Sequence, residues 1–266
     1  MEIVAYLGPE GSYSGLAAMK FRPEASYKAC ANFFDVMSSL ISGECDCAVF
    51  PIENSLNGAV LQNIDLLQNT CGVFASEETV LSIDHRLATL SGADMGGISH
   101  IYSHEQPLAQ CSDYLHKHFP SAKLVPTSST AASLENIKTL SDAAIVGAHI
   151  KREGITLSDK NIADGANNFT HFLLVVRGSA DSEKKSSKIF FSVTCSHVSG
   201  ALLDILEPMR AGGLNMTKIQ SRPIKDRVGE YRFFIEVEGD YSLSGVRKVL
   251  KCVENSAKSY KLLGTY

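Results

Sequence analysis

The stretch NFFDVMSSLISGECDCAVFPIENS, residues 32–55, holds one helix, one strand and the turns that bound them. Asn32 is a helix-capping residue type, able to accept from the free amides of a first turn. Phe33, Val36, Met37, Leu40 and Ile41 then recur at helical spacing, and Gly43 tolerates the left-handed backbone that ends a helix. From Ala48 to Ile52 the chain is apolar, as in a strand buried on both faces. Ile3 to Leu7, Ile98 to Tyr102, Ala122 to Val125 and Ala143 to Val146 have the same character. Strands alternating with helical segments predict an α/β region with largely parallel strands.

Downstream, residues 178–187 are small, polar and charged, a composition that packs no core and reads as a linker. Beyond it the expected order is strand (188–195), helix (199–210), strand (214–221), strand (231–238), helix (242–255) and strand (258–263). That is a ferredoxin-like βαββαβ pattern. The expected domains are therefore residues 1–178 and 188–266, which suits a chain of 266 residues.

Composition narrows the partners. With 25 Lys and Arg against 29 Asp and Glu, the formal net charge of -4 offers no general attraction to nucleic acid or an anionic membrane. The N-terminus lacks a signal-peptide pattern, and nowhere do about 18 apolar residues run together as a spanning helix requires. Seven cysteines without metal-ligand spacing read as free thiols in the cytoplasm. His116 and His118 lie two apart on a helix and so diverge, and His104 and His149 have no acidic or cysteine partner at ligand spacing, so no metal site is expected.

Four strand-to-helix turns carry hydroxyls, amides or glycines: residues 8–14, 51–55, 103–106 and 127–130. In a parallel sheet such turns gather at the carboxyl ends of the strands, where helix N-termini offer free amides to an anion. Residues 8–14 lack both glycine spacings that cradle nucleotide phosphates, so the expected ligand is a small anion and not a nucleotide.

Tyr6-Leu7-Gly8-Pro9-Glu10-Gly11-Ser12-Tyr13-Ser14, Pro51-Ile52-Glu53-Asn54-Ser55, Thr127-Ser128-Ser129-Thr130-Ala131-Ala132 and Asn168-Phe169-Thr170-His171-Phe172 resemble prephenate dehydratase signatures in order and spacing. Gly200-Ala201-Leu202-Leu203 and Gln220-Ser221-Arg222-Pro223 are similar to the two phenylalanine-binding motifs of the ACT domains attached to these enzymes. The resemblance implies a catalytic region of two α/β lobes, similar to type 2 periplasmic binding proteins, with a cleft between them and an ACT domain behind. It implies a carbon–oxygen lyase of phenylalanine biosynthesis, converting prephenate to phenylpyruvate, carbon dioxide and water. It also implies a homodimer or homotetramer, inhibited by phenylalanine at ACT interfaces. No cofactor is expected, because aromatisation of the ring itself accepts the electrons.

By the same resemblance, Thr170 matches the catalytic threonine and donates a hydrogen bond to the leaving oxygen, with Glu53 or His104 as the next proton donors. Glu53, Asn54, Ser55, His104, Gln106, Ser128, Ser129, Thr130, His171 and Phe172 are the expected substrate contacts. Two positions depart from the family pattern. His171 stands where an arginine is usual, and Gln220 where a glutamate is usual. On a strand, His171 points away from Thr170 and Phe172; alternatively, an arginine there would hold a carboxylate with a charge and fork that histidine lacks. Two other readings compete: arogenate dehydratase, whose substrate bears an amine in place of the keto group, and a metabolite sensor that binds without turnover.

Overall fold

The structure is a computed structural model that describes residues 1–165, 167–181, 183–224 and 229–266; position 182 of the expected linker lies outside the described residues. The chain opens with β1 (Ile3–Leu7), α1 (Tyr13–Phe21), β2 (Ser26–Cys30), α2 (Phe33–Ser42), β3 (Cys47–Asn54), the short β4 (Gly58–Ala59), α3 (Leu61–Asn69) and β5 (Val73–Ser82). The reading of α2 holds to its caps. Asn32 accepts from Asp35 N at 2.9 Å, and Gly43 takes φ 83°. Val36, Met37 and Leu40 are buried while Phe34 and Ile41 face solvent, so the helix rests on the sheet by one stripe.

A second lobe follows: β6 (His85–Leu90), β7 (His100–Ser103), α4 (Glu105–Gln110), α5 (Ser112–His118), β8 (Lys123–Pro126), β9 (Asp142–Gly147) and β10 (Ile155–Leu157). Its strands form their own sheet, ordered β10-β6-β9-β7-β8, around a core that includes Leu87, Ile101, Leu115 and Ile145. The chain then returns to the first lobe as β11 (Phe169–Arg177). The region is thus two α/β lobes, crossed once after β5 and once before β11.

The strands are mixed, not largely parallel. β1 pairs in parallel with β2 and β3, and β7 with β8 and β9, but β11 runs antiparallel to β3 and β5, and β6 to β9 and β10. The crossings are the reason. β1, β3, β5, β7, β8 and β9 end at the cleft, whereas β6 and β11 start there because each carries the chain out of a crossing. Strand identity was legible in apolar runs, but direction depended on lobe connectivity.

Beyond the linker come β12 (Lys188–Thr194), α6 (Ala201–Ala211), β13 (Met216–Pro223), β14 (Tyr231–Glu238), α7 (Ser244–Ser256) and β15 (Ser259–Thr265), in the expected βαββαβ order. Ends differ from expectation by a residue or two, as helix and strand ends do. β15 also pairs with β5 at Gly264 and Ala75, which joins the C-terminal strands to the first lobe in one sheet ordered β13-β14-β12-β15-β5-β11-β3-β1-β2. The approach is close enough that a Cβ on Gly264 would meet Ala75 O at 2.8 Å. Phe190, Phe234, Leu263 and Tyr266 share a core with Phe50, Ile52 and Leu173 of the first lobe. No helix among the described residues is long and apolar enough to cross a membrane.

Candidate active site

A cavity of about 320 Å³ lies between the lobes, walled by residues from all four turns and from the start of β11. Gly8, Gly11, Ser12, Tyr13 and Ser14 come from the first turn, Pro51 and Asn54 from the second, His104 and Gln106 from the third, and Ser128, Ser129 and Thr130 from the fourth. Thr170 and Phe172 enter from β11, joined by Asn168 just before it. Of the expected contacts the structure therefore gathers Asn54, His104, Gln106, Ser128, Ser129, Thr130, Thr170 and Phe172.

At the centre is a network of locked amides. Asn54 Oδ1 accepts from the backbone amides of Leu56 and Asn57, both at 3.1 Å, and from the Asn57 side chain at 3.0 Å. Because backbone amides only donate, the Asn54 amide has one orientation. Its Nδ2 donates to Asn168 Oδ1 at 2.7 Å and is 3.0 Å from Thr170 Oγ1. The Thr170 oxygen accepts from Asn54, so its own proton is left to point elsewhere. Thr170 and Asn54 are each 9 % exposed, at the wall of the cavity. Their hydrogen bonds persist in a setting where water competes little.

Some hydroxyls are committed to structure. Ser12 Oγ donates to Leu7 O and accepts from Gly15 N, capping α1, and Ser129 Oγ accepts from Ala132 N. His104 Nδ1 accepts from Gln106 N. By contrast, the side chains of Ser14, Gln106, Ser128 and Thr130 make no hydrogen bond among the described residues, and are free for a ligand. Tyr13 is tied at its hydroxyl to both the carbonyl and the amide of Asp84. Burial lifts its phenol to about 12, which leaves it a neutral structural group.

Among the described residues the lining contains no Lys, Arg, Asp or Glu. An anion held here is held by hydroxyl, amide, imidazole and backbone donors, and among the described residues there is no carboxylate to pair with an ammonium. The apolar side chains Leu7, Ile83, Ile150 and Phe172 complete the wall.

Three expected contacts lie elsewhere. Ser55 Oγ donates to Asn167 O at 3.0 Å and accepts from Phe169 N at 2.9 Å, clipping the turn to the start of β11. Glu53 turns to the opposite face and pairs with Lys218 of β13 at 2.5 Å. His171 sits on that face too, with Nε2 2.6 Å from Glu78 Oε2. The cause is a bulge. β11 pairs Thr170 with Asn54, His171 with Glu53 and Phe172 with Pro51, so Ile52 is the extra residue on β3. Simple alternation from Pro51 would aim Glu53 at the cavity; the bulge aims Asn54 there instead.

Behind the sheet these side chains meet a charged cluster. Lys188 Nζ lies 2.9 Å from Glu78 and 3.6 Å from Glu236, and Thr217 and Tyr266 each donate to Glu236 at 2.6 Å. Burial raises both carboxyls, but bonds from His171 and Lys188 to Glu78, and from Thr217 and Tyr266 to Glu236, outweigh it and hold both below the usual range. Glu78, His171 and Glu236 are close enough to share a cation; the Lys188 ammonium supplies that charge.

A more open hollow of about 640 Å³ lies at the start of α6, lined by Gly200, Ala201, Leu202 and Leu203 with Cys195, His197 and Tyr231. Gly200 has φ 87°, a conformation that disfavours any side chain. Gln220, Ser221, Arg222 and Pro223 lie apart from that lining, on the edge strand β13. Gln220 Nε2 donates to Ser221 O, and Arg222 pairs with Asp65 of α3 at 2.5 Å.

Sequence reasoning missed His85 and Gln110, which also line the cavity. Neither falls in a recognisable motif, and only their convergence in space marks them.

Comparison with known proteins bears on the family and the fold. The prephenate dehydratase family profile matches residues 4–180. A prephenate dehydratase of Lactococcus lactis is 34% identical over 99% of this chain and 96% of its own length. A bifunctional chorismate mutase/prephenate dehydratase of Neisseria gonorrhoeae is also 34% identical, over 99% of this chain and 74% of its own. The crystal structure of an Arthrobacter aurescens prephenate dehydratase in complex with L-Phe superposes with a TM-score of 0.89 at 29% identity, covering 99% of this chain and 89% of that one.

Proposed function

The chain belongs to the prephenate dehydratase family, and we propose from that premise how its residues carry the reaction and its control. It is a lyase that dehydrates and decarboxylates prephenate to phenylpyruvate. The ring carboxylate leaves as carbon dioxide, its bonding electrons aromatise the ring, and the ring hydroxyl leaves with one proton as water. No electrons enter or leave, so the cavity need only orient the substrate and stabilise the departing oxygen.

The observation that carries the assignment is the direction of the Thr170 hydroxyl. Its oxygen accepts from Asn54, so its proton is available to the leaving oxygen. A hydroxyl that accepts while it donates is polarised by the first bond. Asn54 thus sharpens a donor that is weak by itself. The free side chains of Ser14, Gln106, Ser128 and Thr130 hold the two carboxylates, while Phe172 and its apolar neighbours give the departing carboxylate a drier surrounding than water. The test is phenylpyruvate formation by the chain and by Thr170→Val.

The missing acid in the lining favours prephenate over arogenate. An amine-bearing substrate brings an ammonium that must leave water, and such a charge needs a partner. The side-chain keto group of prephenate needs only a donor. Comparing kcat/KM for the two substrates checks this, with prephenate preferred.

The C-terminal region acts as an ACT regulatory domain. Phenylalanine binds at the hollow beside Gly200–Leu203, with Gln220–Pro223 of a second copy completing the site in a homodimer or homotetramer. The exposed edge position of β13 supports this arrangement, as does the L-Phe complex of the Arthrobacter relative. Inhibition travels through contacts already present: Lys218 on Glu53, and the Glu78–Lys188–Glu236 cluster on His171. The expected coupling is about 1–3 kcal/mol, a 5- to 150-fold change in affinity. Unchanged activity at saturating phenylalanine would remove it. The seven cysteines are free, which suits the reducing cytoplasm in which this pathway is expected to run.

A further inference from the structure

His85 opens β6 at the mouth of the cleft and is 2 % exposed. Asn161 Oδ1 accepts from its backbone amide. Its ring Nε2 lies 2.8 Å from Gln110 Oε1, and Asn168 Nδ2 donates to that same oxygen at 3.1 Å. Asn54, locked by two backbone amides, donates Nδ2 to Asn168 Oδ1. That contact fixes which end of Asn168 is the acceptor, so its Nδ2 must be the donor to Gln110. The Gln110 atom that receives it must then be the oxygen. An oxygen facing His85 Nε2 requires a proton on that nitrogen, because two acceptors cannot share a bond. With the Nε2 edge of the ring toward Gln110, the tautomer follows from the backbone.

We propose that His85 is a positioning residue of this site: as the Nε2–H tautomer it pins the Gln110 oxygen that receives Asn168, and so braces the Asn168 and Asn54 side chains against which the Thr170 hydroxyl is set. The relay ties the second lobe, which supplies His85 and Gln110, to the reacting group held by the first. It rests on the dehydratase reading only for its consequence in turnover. His85 Nδ1 and Gln110 Nε2 are buried without hydrogen-bond partners, so among the described residues the Gln110 side chain is held only at its oxygen, by His85 and Asn168, and the His85 ring only by Gln110. Loss of the His85 donor leaves the Gln110 oxygen with the Asn168 bond alone, so the amide can swing away, and an inverted amide presents its NH2 to Asn168 Nδ2, where two donors repel. Burial lowers the imidazole's affinity for a proton, a tendency that the Gln110 bond and Asp84 oppose in part. The ring is neutral at neutral pH, consistent with one protonated nitrogen.

His85→Phe removes the donor, whereas His85→Gln places an amide N–H near the position of Nε2. The expected result is a kcat lowered roughly 10- to 100-fold in His85→Phe, the scale of a displaced catalytic group, with KM changed by less than about threefold. His85→Gln recovers kcat to within about threefold, since a side-chain amide replaces one neutral donor by another. Equal loss in both variants, or a change carried in KM alone, would overturn the proposal. Nitrogen-15 spectra of the histidine rings, with the His85 signals identified by their loss in His85→Gln, decide the tautomer without reference to turnover. Protonated Nε2 with bare Nδ1 is expected, and the reverse tautomer would overturn the relay. If the wild-type chain formed no phenylpyruvate, the dehydratase reading would fail while those spectra still judged His85.

Discussion

Thr170 and His171 are neighbours on β11, and Asn54 and Glu53 are neighbours on β3, yet the two pairs face different worlds. Thr170 and Asn54 belong to a cavity wall without Lys, Arg, Asp or Glu among the described residues, where several polar side chains are left free for a ligand. Glu53 and His171 belong to the face against the C-terminal strands, where Lys218, Glu78, Lys188 and Glu236 meet them as ions. One face leaves donors free for a substrate; the other is ion-paired and packs the C-terminal strands.

The comparison breaks most visibly at Thr170. Thr170→Val, nearly isosteric, should lower kcat/KM by roughly 10²- to 10⁴-fold, the range for a positioned proton donor. Asn54→Ala should follow with a loss of about tenfold to a hundredfold, mainly in kcat, because it removes the bond that orients Thr170 and leaves Asn168 Oδ1 without its donor. Steady-state rates of phenylpyruvate formation check both. Changes on the other face should behave differently. Glu53→Gln should leave basal turnover within about threefold, since the lost ion pair is partly exposed, while raising the phenylalanine concentration needed for inhibition.

Acid should loosen the charged face while sparing the cavity. Glu78 is held below its usual carboxyl value of 4.5, so its ionisation contributes stability that is complete above the unfolded value and is lost as pH falls through the lower, folded one. The melting temperature of wild type should exceed that of Glu78→Gln across neutral pH, and the gap should narrow as pH falls below 4.5 and close below the lower, folded value. A gap independent of pH would mean that Glu78 acts by packing alone. The smallest effect is expected at the family departure. His171→Arg should leave KM for prephenate within about twofold, because the side chain faces Glu78 and not substrate; a sharp fall in KM would place that position at the carboxylate after all.

Much of this was legible in the sequence. The caps of α2, the apolar runs of β1, β3, β7 and β9, and the C-terminal βαββαβ order follow from periodicity and turn chemistry; β8 is a strand as expected, but at the sheet edge it is mostly exposed and not buried. The four turns declared a site through their residue types. What the sequence hid depends on geometry over long range. The two crossings set strand direction, and one extra residue at Ile52 sent Glu53 away and brought Asn54 in. Gln110 and His85 are 25 residues apart and carry no motif. Their partnership exists only once α4 and β6 are folded beside β11.

The most direct test of the account measures phenylpyruvate formed from prephenate by wild type, Thr170→Ser and Thr170→Val under one set of conditions. Turnover by wild type, retained within about tenfold in the serine variant and lost by at least a hundredfold in the valine variant, is the predicted result. Valine turnover within about twofold of wild type would contradict the central claim that the Thr170 hydroxyl serves the leaving oxygen.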